Sequence, residues 1–185
     1  MRKLLDYNIL VTFHSHERKE AVEEIEMRLK DLGIELEDMM ESEFPGVMLV
    51  RVEGSPKDAV LLLNGLCRKF PEVFKFTHRW APVERWVALN DGAMIQGVEE
   101  IGSGIKDGDK WRLSLFKRGY EDHSAMELVK LLTDHINTGK VDLDHPDKII
   151  EVQLVSDAAG ISLIKSDEYL DINKVRESLG ITKLP

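Results

Sequence analysis

Four basic residues, Lys110, Arg112, Lys117 and Arg118, fall within nine positions that hold no carboxylate. Ser124 follows closely, and Glu127 stands three positions after it, the pattern of a capped helix start. A helix N-terminus carries unpaired N–H groups and a partial positive charge. Lys117, Arg118, His123 and Ser124 together therefore compose an anion site suited to phosphate, the plainer alternative being solvated charges near a strand end. Upstream, Lys75, His78, Arg79, Trp80, Arg85 and Trp86 interleave cations with aromatic rings. Such a pattern serves a nucleic-acid strand whose unstacked bases lie on indole or guanidinium planes. For the two tryptophans packing at a domain junction is the preferred reading, which leaves Lys75, Arg79 and Arg85 as phosphate candidates.

Two further groups have the residue types of metal ligands. Asp142, Asp144, His145 and Asp147 supply four oxygen or nitrogen donors in six residues,. The preferred reading is structural: Pro146 blocks a helix, and the aspartates hold turn N–H groups. His14-x-His16 sits at a strand end, but no third ligand stands nearby in sequence, so no metal is expected there. Gly102-Ser103-Gly104 lacks the spacing of a phosphate loop. The single cysteine, Cys67, lies on the apolar side of a helix and excludes an internal disulfide,. No residue is assigned a catalytic role, and no cofactor is implied.

The elements that carry these residues fall into two groups. Tyr7–His14 is rich in β-formers and reads as a strand. A charged amphipathic helix follows from Glu17 to Leu32 and stops at Gly33. Ile34–Ser42 and Val47–Glu53 read as strands joined around a Pro45-Gly46 turn. Ser55-Pro56 opens a helix over Lys57–Phe70, and Val73–Trp80 is a further strand. The order β-α-β-β-α-β predicts a ferredoxin-like unit. A second unit begins near Asn90, with a helix over Ala93–Ile105 and an alternating strand over Lys110–Lys117. The alternation puts Trp111, Leu113 and Leu115 on one side and Arg112, Ser114 and Phe116 on the other. A helix from Ala125 to about Asn137, strands at Ile149–Val155 and Gly160–Ile164 around an Asp157-Ala158-Ala159 turn, and a short helical tail at Asp171–Leu179 complete the reading.

The 185 residues are 43% hydrophobic and 32% charged, enough for a real core under a solvated surface,. The start of the chain does not read as a signal peptide, and no run is long and apolar enough for a membrane span. A reducing, cytoplasmic setting is expected. The net charge of −9 opposes nucleic-acid binding if taken whole, yet Glu17–Glu43 holds 11 acidic and 4 basic residues. That segment carries −7, leaving the rest of the chain near balance, and salt screens exposed charges beyond roughly 8 Å.

The run Val141-Asp142-Leu143-Asp144-His145-Pro146-Asp147, the strand Ile149-Ile150-Glu151-Val152 and the closing Ala159-Gly160-Ile161-Ser162-Leu163 belong together. With Trp111-Arg112-Leu113 and the capped helix at Ser124, they resemble the THUMP domain over roughly Asn90–Lys165. The resemblance implies an α+β fold: an N-terminal ferredoxin-like domain over 1–88, an α/β THUMP domain over 89–167 and a tail over 168–185. THUMP domains bind RNA in tRNA thiolation enzymes, methyltransferases, pseudouridine synthases and a tRNA-acetylation adaptor. The catalytic members carry a second domain, for which the twenty residues after Lys165 are too few. The resemblance therefore implies the adaptor type, with no enzymatic activity of its own. It would grip structured tRNA through Lys75, Arg79, Arg85, Lys110, Arg112, Lys117, Arg118 and Ser124. It would present that tRNA to a separate modification enzyme, an RNA acetyltransferase that makes N4-acetylcytidine. The acidic helix, through Glu20, Glu23 and Glu24, is a candidate surface for that enzyme. A small-ligand regulatory protein and a metal-dependent enzyme stay open as alternatives.

Overall fold

The computed structural model describes residues 4–155 and 157–185. They form two compact units, one built on Asp6–Pro82 with Asp167–Pro185 and the other on Val83–Ser166. No helix among the described residues is long and apolar enough to cross a membrane.

The first unit runs β1 (Ile9–Phe13), α1 (Arg18–Asp31), β2 (Leu36–Glu41), β3 (Val47–Val52), α2 (Pro56–Lys69) and β4 (Thr77–Pro82). Its strands pair antiparallel in the order β4-β1-β3-β2, the arrangement expected of a βαββαβ unit,. Ile9, Val11 and Phe13 share a core with Met48, Val50 and Val52 of β3, and Ile25, Leu29, Val60 and Leu63 of the two helices join it. Ser55 accepts the Asp58 N–H at 3.2 Å with Pro56 in the first turn of α2. Gly46 turns β2 into β3 at φ 83°, where a Cβ would lie 2.6 Å from the Phe13 carbonyl oxygen. Only glycine meets both demands.

Helix α1 is not the wholly solvated acidic face that its sequence suggests. Glu24 is 6% exposed. Its carboxylate accepts the N–H groups of Lys75 at 2.6 Å and Thr77 at 2.7 Å, a longer bond from Phe76, and the Thr77 hydroxyl at 2.7 Å. The buried Trp80 indole donates in turn to Thr77 Oγ1 at 2.9 Å. One carboxylate thus satisfies the backbone donors that lead into β4, so Glu24 belongs to the frame and not to a partner surface. Arg28 acts beside it, donating to the Val73 carbonyl at 2.6 Å.

The second unit runs β5 (Arg85–Ala88), α3 (Asp91–Gly102), β6 (Lys110–Phe116), α4 (Ala125–Thr133), β7 (Lys140–Val141), β8 (Lys148–Val155) and β9 (Ala158–Ile164). The sheet order is β5-β9-β8-β6-β7, with β6 parallel to both β8 and β7. Trp111, Leu113 and Leu115 face a core shared with Ile150, Val152, Leu154, Met94, Val98, Leu128 and Leu132, as the alternation predicts. Helix α4 ends at Thr133, short of the expected Asn137.

The chain divides elsewhere than at the expected boundaries of 88 and 167. Arg85–Ala88 pairs with Ile161–Ala158 and so belongs to the second sheet. The helix expected over Asp171–Leu179 is α5 (Ile172–Ser178), but the tail also contains β10 (Leu170–Asp171) and groups with the first unit. Strand β10 adds to the edge of β4, and Leu170, Ile172 and Val175 enter the first core. Strands of two and four residues carry too little periodicity to be read, and their partners lie 70–92 residues away,.

The segment joining β7 to β8 is a turn held by aspartates. Asp142 Oδ1 accepts the N–H groups of His145 at 2.9 Å and Asp144 at 3.1 Å, and Asp147 Oδ2 accepts the Lys110 N–H at 2.8 Å. These bonds are the structural work expected of the Val141–Asp147 run. The His145 N–H, ahead of the other contacts, holds the Asp142 carboxyl below the ordinary carboxylate range.

Two outcomes follow from this frame. Glu24→Ala, which orphans three backbone N–H groups, should lower unfolding free energy by about 3 kcal/mol in urea titrations; a loss under about 1 kcal/mol would remove Glu24 from the frame. For Asp142 the folded pKa lies below the unfolded one, so its contribution is present above the unfolded pKa and lost as pH falls through the folded value. In an NMR titration the Asp144 and His145 amides should shift together at one midpoint below that of a free aspartate. A shift of those amides on adding calcium at neutral pH would instead favour the metal reading.

Candidate functional site

The basic residues of the second unit gather at the two ends of β6. At its start, Lys110 and Lys140 are cross-strand neighbours in the parallel β6–β7 pair. Gly139, at φ 70°, makes that return possible: a Cβ there would lie 2.8 Å from the Asp109 carbonyl oxygen. Arg112 stands two residues on, on the same side of β6, and donates to the Leu143 carbonyl at 2.9 Å. Lys110 Nζ is 3.8 Å from Asp142, so part of this charge is already neutralised. Val141 and Leu143 are exposed beside these cations.

At the other end, Lys117 and Arg118 leave the strand and separate. Lys117 is exposed, and its ammonium donates to the His123 carbonyl at 3.0 Å, beside the start of α4. Ser124 accepts the Glu127 N–H at 3.2 Å, while Glu127 accepts the Ser124 N–H at 2.9 Å. The capping box is therefore complete, and the first amide of the turn already faces a carboxylate. The expected phosphate cradle is consequently narrower than its sequence pattern: Lys117 offers charge, but Ser124 is occupied as a cap. His123 is 3.0 Å from Asp91.

Arg118 turns the other way, toward the sheet. Its guanidinium donates to Gln153 Oε1 at 2.7 Å. Gln153, on β8, is 1% exposed. Burial alone pulls the Arg118 pKa down to about 10, so the group is still charged at neutral pH,. Among the described residues no carboxylate is paired with it. A cation half withdrawn from water, with a neutral amide and the Phe116 ring for company, keeps an unspent attraction for an anion,.

Arg85, on the edge strand β5, is ion-paired with Glu100 and lies at the far side of the sheet from β6. In the first unit, Lys75 is exposed, with its own N–H engaged by Glu24. The Arg79 guanidinium lies over the Tyr169 ring at 4.3 Å. The two tryptophans are both buried: Trp80 in the first core, and Trp86 against Gly160 within the second unit. They pack inside separate units, so neither offers an indole face to a nucleobase.

Three placements of interest escaped the sequence pattern. Lys140 is isolated in sequence and becomes a neighbour of Lys110 only through β-pairing. Gln153 looks like any polar residue on a strand until Arg118 reaches it. His78 is brought beside His14 by the β1–β4 pairing. Alternating strands would point to the last of these only if the register were already known.

With the geometry in view, comparison with known proteins is informative. Residues 112–164 match the model of the THUMP domain. No curated protein matches the chain in sequence. Among solved structures, PH1313 from Pyrococcus horikoshii is similar at a TM-score of 0.63 and 17% identity, over 85% of this chain and 54% of that one. TrmN from Thermus thermophilus is similar at 0.59 and 12%, over 90% and 47%. A 4-thiouridine synthetase solved as an RNA complex with bound ATP is similar at 0.50 and 12%, over 89% and 42%. This chain thus spans about half the length of the structures it matches, and at these identities the likeness is one of fold. Residues 112–164, from within β6 to the end of β9, thus carry a THUMP domain in a mixed α+β chain.

Proposed function

We propose that this chain is a non-catalytic RNA-binding module that grips structured tRNA and presents it to a separate modification enzyme, a tRNA cytidine N4-acetyltransferase. The observation that carries the reading is the THUMP domain itself, with Arg118 held at the end of β6 without an acidic partner among the described residues. The 4-thiouridine synthetase of similar fold, solved with RNA, supports the same class of ligand. Contacts of this kind go to phosphates and fix a folded RNA by shape, with little reading of sequence. Lys117 and Arg118 at one end of β6, and Lys110, Arg112 and Lys140 at the other, sit at the two ends of a seven-residue strand. At about 3.3 Å per residue that is roughly 20 Å, the span of several phosphates.

The partner surface in this reading is the solvated part of the acidic helix. Glu20, Glu23 and Glu72, with Met27 and Phe76, line a groove of about 420 Å³ in the first unit, whose wall also includes the cations Arg28 and Lys75. Acidic side chains around an apolar floor complement a basic segment of an RNA-acting enzyme. Glu24, also on the groove wall, is spent on β4 and is excluded from that role.

Binding of purified tRNA across a salt series tests the first part. Affinity should fall linearly in log salt, and Lys117→Glu should weaken it about tenfold and reduce the slope by about 1–2. Arg118→Gln, which keeps a polar partner for Gln153, should weaken it without shifting the urea midpoint. Salt-independent binding, or none at low salt, would overturn the reading. For the partner surface, Glu20→Lys/Glu23→Lys should lower cytidine acetylation in a reaction reconstituted with the acetyltransferase while tRNA affinity holds. Unchanged acetylation would remove this groove from the mechanism.

A further inference from the structure

Three of the six histidines meet at one corner of the first unit. His14 follows β1, His16 lies in the short turn Ser15–Glu17, and His78 stands on β4, the strand paired with β1. The His14 and His78 rings are 4.4 Å apart edge to face, and the His14 and His16 rings are 5.6 Å apart and nearly parallel. In a tetrahedral zinc site with bonds of about 2.0–2.1 Å, neighbouring imidazole centres lie roughly 5 Å apart. The His14–His78 and His14–His16 separations bracket that value.

His14 Nε2 lies 2.6 Å from the Pro185 carbonyl oxygen. That oxygen only accepts, so His14 Nε2 carries a proton, and in the neutral ring the lone pair is on Nδ1,. A backbone carbonyl behind the ring is the usual support of a metal-ligating histidine. His78 Nε2 is buried and has no hydrogen-bond partner. Burial, then the neighbouring His14, holds the His78 pKa below the ordinary value. His16 is 76% exposed and 3.4 Å from the Glu17 carboxylate.

We propose that His14, His16 and His78 bind a divalent zinc-class cation, with Glu17 as an oxygen donor. In the structure no three donor atoms among the described residues converge on one point. Binding therefore turns the exposed His16 side chain, which costs little packing, toward the two rings that the β1–β4 pairing already holds together. An ion there satisfies the His78 nitrogen that otherwise stays buried without a partner. The site lies wholly in the first unit and does not depend on the RNA reading.

The test uses the full chain, free of any purification tag and stripped with chelator. Zinc is titrated by calorimetry, and cobalt(II) by absorbance, as a probe of tetrahedral coordination. The expected result is one ion per chain at micromolar affinity, with an intense visible cobalt band. His16→Ala and His78→Gln should each weaken binding at least about tenfold, while His145→Gln in the second unit leaves it unchanged. His16 is exposed, so its variant keeps the test valid if His78→Gln fails to fold. No binding at 100 micromolar zinc, or binding indifferent to His16→Ala, would overturn the proposal.

Discussion

A parallel pair of strands cannot be closed by a tight turn, and that constraint organises the second unit. Strand β6 lies parallel to β8, so the chain must leave one end of β6, cross the sheet and return to the other,. Helix α4 is the crossing. Its start therefore stands where β6 ends, beside Lys117 and Arg118. Its return, through Gly139 and β7, falls beside Lys110 and Arg112. Both basic groups owe their positions to this one topological demand. The aspartate turn at Asp142–Asp147 then fixes the returning segment against the first residues of β6.

An acidic protein serves an anion by distribution, not by total charge. Most of the excess negative charge lies between Glu17 and Glu43, in the first unit. In the second unit the cations differ in how far they are already spent. Arg85 is paired with Glu100, and Lys110 is near Asp142. Arg118 has the Gln153 amide and the Phe116 ring, and no paired carboxylate among the described residues. Removing a cation from water without a carboxylate costs stability, and an incoming phosphate would recover that cost. Such groups mark function more reliably than the number of lysines on a surface.

The acidic helix of the first unit shows the opposite error of reading. Glu20, Glu23 and Glu24 look equivalent in sequence, yet they divide between solvent and core. Glu24 falls on the buried side of α1 and meets backbone N–H groups that enter β4. A carboxylate there is tolerated because four donors surround it. The same strand brings His78 to His14, so β4 organises both the carboxylate network and the imidazole cluster.

The elements of regular length were legible from the chain alone, because periodicity, caps and turn residues are local signals. The βαββαβ order, the inward face of β6, the capping box at Ser124 and the aspartate turn before β8 are all of this kind. The THUMP domain was also legible, from its motif residues. Tertiary structure alone decided which cations are spent, since Glu100, Gln153 and Leu143 reach their arginines across loops and strands. It also decided that Trp80 and Trp86 are core residues, that the last nineteen residues group with the first unit, and that His78 completes a third position beside His14-x-His16. The physical reason is common to all of these. A β-register or a buried hydrogen bond joins residues far apart in the chain, and no local pattern of residue types encodes which strands will become neighbours.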